Sequence, residues 1–154
     1  MTEAPCPCGL GLPYPECCGR LHAAHAADGS LTAPTAEALM RSRYTAFARL
    51  GEVEGAGATG AADVAATVAY LRATWAPEHR PSAAELTPGP GDPAPAFTRL
   101  AVLAVEGGGP FQDVGEVEFA AVGRGPEGRF RLHERSRFRR ESGVWLYVDG
   151  DVTT

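Results

Sequence analysis

Four cysteines crowd into residues 6–18, as Cys6-x-Cys8 and then, after a loop, the adjacent pair Cys17-Cys18. No other feature limits so strongly what this chain can fold into. Residues 1–25 are rich in Gly and Pro and show no hydrophobic period, so they cannot build a core and need a staple. Paired thiols from two short turns suit one tetrahedral zinc, with Cys6, Cys8, Cys17 and Cys18 as its ligands. Gly9, Gly11, Pro13 and Pro15 fit the tight loop between the pairs, and Gly19 would let the chain leave at an unusual dihedral. Four thiolates around Zn2+ leave a net negative charge that Arg20 could partly offset, and His22 or His25 could replace one cysteine. Redox-active thiols and disulfides are the alternative uses of such a cluster. A closed four-ligand site has no open coordination position, so a zinc held this way is structural and not catalytic.

The 154 residues suffice for one core plus a small appendage. All 14 basic residues are Arg, which excludes a lysine Schiff base or lysine general base, and the net charge is −5. Nucleic-acid binders ordinarily carry a basic excess, so this balance argues against a nucleic-acid partner. The N-terminus lacks the basic region and apolar run of a secretory signal, and no apolar stretch is long enough to span a membrane. The expected compartment is the cytoplasm, without membrane association. There clustered cysteines serve more often as metal ligands than as disulfides.

A helix is expected from Thr35 to Gly51, with Leu39, Tyr44, Phe47 and Ala48 near helical spacing. Residues 51–62 read as a flexible Gly/Ala insert. Val64, Val68, Leu71 and Trp75 step by helical intervals and predict a second helix over 63–75, with Asp63 as N-cap and Pro77 and Pro81 beyond its end. Residues 87–95 read as an extended loop. Four runs rich in β-branched and aromatic residues follow, at 98–105, 115–122, 129–139 and 144–148, separated by Gly-containing turns. Consecutive strands with short turns imply an antiparallel meander. Helices before strands make the fold class α+β, with the helices on one face of a curved sheet.

The segment Cys6-Pro7-Cys8-Gly9-Leu10-Gly11-Leu12-Pro13-Tyr14-Pro15-Glu16-Cys17-Cys18-Gly19 resembles the SEC-C motif, the zinc knuckle at the C-terminus of the SecA translocase. Five further stretches resemble the YchJ family of small bacterial proteins. They are Ala38-Leu39-Met40-Arg41-Ser42-Arg43-Tyr44-Thr45-Ala46-Phe47, Tyr70-Leu71-Arg72-Ala73-Thr74-Trp75, Gly115-Glu116-Val117-Glu118-Phe119, His133-Glu134-Arg135-Ser136-Arg137-Phe138 and Trp145-Leu146-Tyr147-Val148-Asp149-Gly150. That resemblance implies a SEC-C knuckle over residues 1–25 and, over 33–152, a domain of the nuclear transport factor 2-like fold, a cone of helices on a strongly bent sheet. It implies no settled activity. Where SEC-C loops commonly carry basic residues between the cysteine pairs, this loop carries none.

Period two in residues 130–138 sets Phe130, Leu132, Glu134, Ser136 and Phe138 on one face and Arg131, His133, Arg135, Arg137 and Arg139 on the other. The phenylalanines mark the first face as inward, so Glu134 and Ser136 point into the cone. Glu134 is either a buried brace, to Arg41, Arg43 or a backbone amide, or a ligand-binding or acid–base carboxylate. The candidate pocket is Arg41, Tyr44, Trp75, Glu134, Ser136 and Tyr147. The second face reads as a solvated basic stripe, with His133 on the surface and His79 in a loop.

No catalytic triad, phosphate loop or nucleotide fingerprint is present in the sequence. The first functional reading is a non-enzymatic, zinc-containing binding or interaction module that meets a protein partner through the knuckle. The alternative is a small-ligand-binding protein or enzyme using the pocket around Glu134, Ser136 and Tyr147. An open cavity with a carboxylate not bound to Arg favours the alternative.

Overall fold

The computed structural model describes residues 5–51, 61–89 and 95–153. The four apolar runs form one antiparallel meander of β1 (Ala96–Gly107), β2 (Val114–Gly125), β3 (Gly128–Glu141) and β4 (Val144–Thr153), in sequence order across the sheet. Each strand is longer than its apolar run, because charged residues on the outer face continue the ladder. The β3–β4 connection is a two-residue hairpin in which both Ser142 (φ 50°) and Gly143 (φ 80°) are left-handed, the geometry whose twist matches the flanking strands. Register shifts at Phe97/Arg99, Val102/Ala104 and Arg137/Phe138 are bulges, and bulges bend a sheet. The curvature expected of the cone therefore has a local cause.

Helix α2 (Ala36–Gly51) lies against the concave face. Thr35 caps it, its Oγ1 accepting from the Ala38 amide at 3.0 Å, and the Gly108 carbonyl accepts from the Ala36 amide at 2.9 Å. Leu39, Met40 and Tyr44 from α2 join Val117, Phe119, Phe138 and Trp145 in the main core. Fully burying a side chain such as Leu39 or Val117 contributes about 1.5–3 kcal/mol.

Helix α3 (Ala61–Ala73) starts before the expected N-cap, so Asp63 lies within it. The helix ends two residues short of Trp75, which leaves it to pair with Tyr147 on the edge of β4. The Gly/Ala insert falls largely at 52–60, outside the described residues, as does the 90–94 part of the expected loop. Just before that loop stands a short helix α4 (Ala83–Leu86), nucleated by a capping box between Ser82 and Glu85.

Another helix was not expected either. α1 (Cys18–Asp28) begins at the last cysteine, so residue 25 falls inside it. Its side chains are mostly Ala and His, which give no hydrophobic period. Leu21 nonetheless packs against a second core of Ala46, Leu50, Val68, Tyr70 and Leu71. His22 fastens it: Nδ1 lies 2.7 Å from the Tyr14 hydroxyl and Nε2 2.9 Å from the Ser42 carbonyl. A carbonyl only accepts, so Nε2 carries the proton and Nδ1 accepts from Tyr14.

Burial holds the His22 pKa below its usual value. The folded state keeps this ring neutral, so acid protonates the unfolded chain first. The stability from this group is complete above about pH 6.5 and is lost as pH falls below it towards the folded value. Urea unfolding of His22→Gln should therefore show a shallower fall in stability between about pH 7.5 and 6 than the parent protein. Parallel pH profiles would contradict a neutral, buried His22.

Candidate functional site

The cysteine cluster is built by two turns. The Cys6 amide donates to the Leu12 carbonyl at 2.9 Å, and the Gly9 amide to the Cys6 carbonyl at 3.1 Å, with Gly9 (φ 85°) and Gly11 (φ 94°) both left-handed. A short 3₁₀ turn, Tyr14–Glu16, then delivers Cys17 and Cys18 at the start of α1. Gly19 has no unusual dihedral. It supplies space instead, since a Cβ there would meet the Tyr14 carbonyl oxygen at 2.5 Å.

All four cysteines are buried and their Sγ atoms lie within 4.8 Å of one another. A tetrahedral zinc with Zn–S of about 2.3 Å sets sulfurs about 3.8 Å apart, so the donor set fits a metal of this kind. The thiols compete for charge. Hydrogen bonds from Cys18 and Cys8 push Cys6 down, whereas its bond with Cys6 pushes Cys18 up and burial pushes Cys17 up to about 11. A divalent cation relieves that competition by taking all four as thiolates. Neither histidine joins the cluster: both His22 nitrogens are engaged elsewhere, and His25 stacks edge-on to Tyr70 at 5.6 Å.

Helix α2 supports the cluster from behind. The Thr45 hydroxyl lies 3.6 Å from Cys6 Sγ, and Arg41 Nη1 donates to the Cys8 carbonyl at 2.8 Å. Arg41 was expected at the pocket. It does not line it, because residues 41 and 45 share the α2 face turned to the knuckle.

Arg43 takes the inward place. Its Nη1 donates to the Leu71 carbonyl at 2.9 Å and lies 2.6 Å from Thr74 Oγ1, while Cζ sits 4.6 Å from the Trp75 ring centre and 4.7 Å from that of Tyr147. Burial pushes its pKa down to about 10, which still leaves a cation at neutral pH. Arg43 lines a cavity of about 350 Å³ together with Tyr44, Trp75, Glu134, Ser136 and Tyr147 of the expected set, with Met40, Phe97, Phe119 and Phe138 among the apolar walls.

Glu134 is not ion-paired there. Its Oε2 accepts from Ser136 Oγ at 2.6 Å and from the Tyr147 hydroxyl at 3.0 Å, so the expected Arg or backbone partner is replaced by two hydroxyls. The side chain lies across Gly150, where a Cβ would sit 2.7 Å from Glu134 Cδ and 2.9 Å from Cγ. Burial, followed by the neighbouring Glu134, pushes the Tyr147 phenol up, so it stays a donor.

The outer arginines are not a free basic stripe. Arg135 pairs with Glu106, Glu116 and Glu118, and Arg137 with Asp149 and Asp151. Arg139 meets Glu78 and Glu141, and His133 Nε2 lies 2.6 Å from Glu118. Such exposed pairs contribute little each, about 0–1 kcal/mol, but they offset the charges of Arg135, Arg137 and Arg139.

Fold and cluster together define a SEC-C-like cysteine knuckle joined to a cone of the nuclear transport factor 2-like class. The family described as YchJ, middle NTF2-like domain, matches residues 61–150. A UPF0225 protein of Corynebacterium efficiens is 47% identical over 147 residues, covering 96% of this chain and 92% of that one. A UPF0225 protein of Streptomyces coelicolor is 42% identical over 151 residues, covering 98% of each. The chain belongs to this YchJ, or UPF0225, family. The solution structure of a SEC-C motif containing protein from Rhodopseudomonas palustris is similar at 30% identity and a TM-score of 0.69, covering 98% of this chain and 100% of that one. A SEC-C motif containing protein from Psychrobacter arcticus shares the fold at 22% identity and a TM-score of 0.69, covering 100% and 84%. No helix among the described residues is long and apolar enough to cross a membrane.

Sequence reasoning missed Gly150, whose signal was its place at the end of the Trp-Leu-Tyr-Val-Asp-Gly run. Gly150→Ala should displace Glu134 and cost about 1–3 kcal/mol in thermal or urea unfolding. In a Glu134→Ala background the same change should cost under about 0.5 kcal/mol. Equal losses in both backgrounds would contradict this packing.

Proposed function

We propose that this protein is a zinc-stapled, small-ligand-binding module. The zinc, held by Cys6, Cys8, Cys17 and Cys18, fixes the knuckle against α2 and fills its four positions with protein ligands, so it does no chemistry on substrate. Reduced, clustered thiols suit the cytoplasm. The observation that carries the ligand-binding reading is the cavity itself, within the size range of small-molecule sites and walled by aromatic rings around a carboxylate that no arginine neutralises directly. A filled cone with Glu134 bound to Arg would have favoured a purely structural domain. The knuckle, with Leu10 and Leu12 exposed on its loop, offers a protein partner a smaller surface and is the secondary reading.

Protein purified under reducing conditions without chelators should contain one zinc per chain by elemental analysis. It should also bind the neutral dye prodan at one saturable site, and Ala121→Phe, which fills the cone, should abolish that binding while zinc stays at one. Clearly less than one zinc would sink the staple. No saturable dye site, or one indifferent to Ala121→Phe, would sink the ligand-binding reading.

A further inference from the structure

Two opposite charges line the cone cavity, Arg43 and Glu134, and no ion pair joins them among the described residues. Each is held by uncharged neighbours on one side only. Arg43 Nη1 serves the Leu71 carbonyl and Thr74 Oγ1, while Nε and Nη2 meet no acceptor among the described residues. Neither nitrogen is sealed within the packing, so both open on the cavity that Arg43 lines. Together they form the side-on fork of the guanidinium, the edge that matches the two oxygens of a carboxylate. Arg43 is only 5% exposed, so bulk water does little for that fork. Glu134 is the counterpart. Its Oε2 takes the protons of Ser136 and Tyr147, and Oε1 has no donor among the described residues, although a carboxylate can accept about four hydrogen bonds.

Tyr147 links the two charges. Its ring centre is 4.7 Å from Arg43 Cζ and its hydroxyl 3.0 Å from Glu134 Oε2, so they share one end of the cavity. The Tyr44 hydroxyl is neutral and can donate or accept, which leaves the charge balance as it is. The rings of Phe97, Phe119 and Phe138 make the rest apolar. A lone carboxylate would pair with Arg43 and set a second anion beside Glu134. A lone ammonium would pair with Glu134 and meet the Arg43 cation. A neutral amide reaches both groups but forgoes charge on one side of each bond, where charge-assisted bonds are roughly twice as strong. A head group with both signs answers the fork and the free oxygen and adds no net charge to the interior.

Resting on the ligand-binding reading above, we propose that the cone selects an aminocarboxylate zwitterion on an aromatic or apolar body, its carboxylate accepting from Arg43 Nε and Nη2 and its ammonium donating to Glu134 Oε1. Arg43 and Glu134 are then binding residues, and Ser136 and Tyr147 hold the Glu134 carboxylate in place.

Five probes share one phenyl ring. Phenylalanine and β-phenylalanine carry both charges at different spacings, whereas phenylacetate, phenethylamine and phenylacetamide lack one charge or both. Displacement of prodan from the zinc-loaded protein at neutral pH should place one zwitterion at least about tenfold tighter than each of the last three. Glu134→Gln should cut the affinity of that zwitterion at least about tenfold and leave phenylacetate as tight or tighter. Arg43→Lys keeps the charge but loses the fork, so it should weaken both the zwitterion and phenylacetate and leave phenethylamine within about twofold. Should either variant fail to fold, NMR of the unaltered protein decides instead. The zwitterion should move both the Glu134 carboxyl carbon and the Arg43 Nε signal. Phenylacetate, phenethylamine or phenylacetamide binding as tightly as the better zwitterion would overturn the proposal. So would either signal staying still, or a zwitterion affinity indifferent to Glu134→Gln or to Arg43→Lys. In those cases prodan binding still stands and only the ligand class fails. Loss of all prodan binding would remove the ligand-binding reading as well.

Discussion

Helix α2 has no face left for solvent along most of its length, and everything else in the molecule is arranged around that constraint. Arg41 and Thr45 reach the knuckle, Met40 and Tyr44 face the sheet, and Ala46 and Leu50 pack on α1 and α3. A helix buried on three sides must also place its polar residues, because each one left unpaired in the interior costs about 1–3 kcal/mol. The structure pairs them. Ser42 Oγ donates to the Leu39 carbonyl at 2.7 Å and lies 2.6 Å from the Tyr70 hydroxyl, and the Ser42 carbonyl receives His22. Arg43 finds a carbonyl, a hydroxyl and two rings.

The two sides of β3 show how differently charge is handled in and out of water. On the outer face Arg135 and Arg137 sit among five carboxylates of neighbouring strands, with solvent supplying whatever the pairs do not. On the inner face one guanidinium and one carboxylate occupy the same cone without a direct bond. Each is held by uncharged neighbours, Arg43 through Nη1 by α3 and its end, Glu134 through Oε2 by Ser136 and Tyr147. The bulge at Arg137/Phe138 makes this arrangement possible. It puts Tyr147 opposite Phe138, and the Tyr147 backbone exchanges two 2.8 Å hydrogen bonds with Thr74 and Ala76. The same contact fixes the Trp75 ring beside Arg43.

Much of this was legible in the chain because it depends on period. The alternation through Phe130, Leu132, Glu134 and Phe138 already assigns the inner face, and the cysteine pairs declare a common centre. Helical phase alone could separate Arg41 from Arg43 but could not say which turned inward, since that depends on where the knuckle docks. Helix α1 escaped for a related reason: Leu21, His22 and His25 are held by α2 and α3 and not by an apolar stripe of their own. The hydroxyl partners of Glu134 were hidden too. They require a one-residue shift in β4 that no pattern in Val144–Thr153 announces, and a glycine at 150 whose bare Cα leaves room for the carboxylate.

If α2 is the shared wall, the knuckle is part of the fold of the whole chain, and a chelator should loosen more than residues 1–25. Amide hydrogen exchange of the metal-loaded and chelated protein tests this most directly. The account predicts that chelation speeds exchange through α2 (Ala36–Gly51) as well as through α1 (Cys18–Asp28). Faster exchange confined to residues 5–28, with α2 as protected as before, would contradict it.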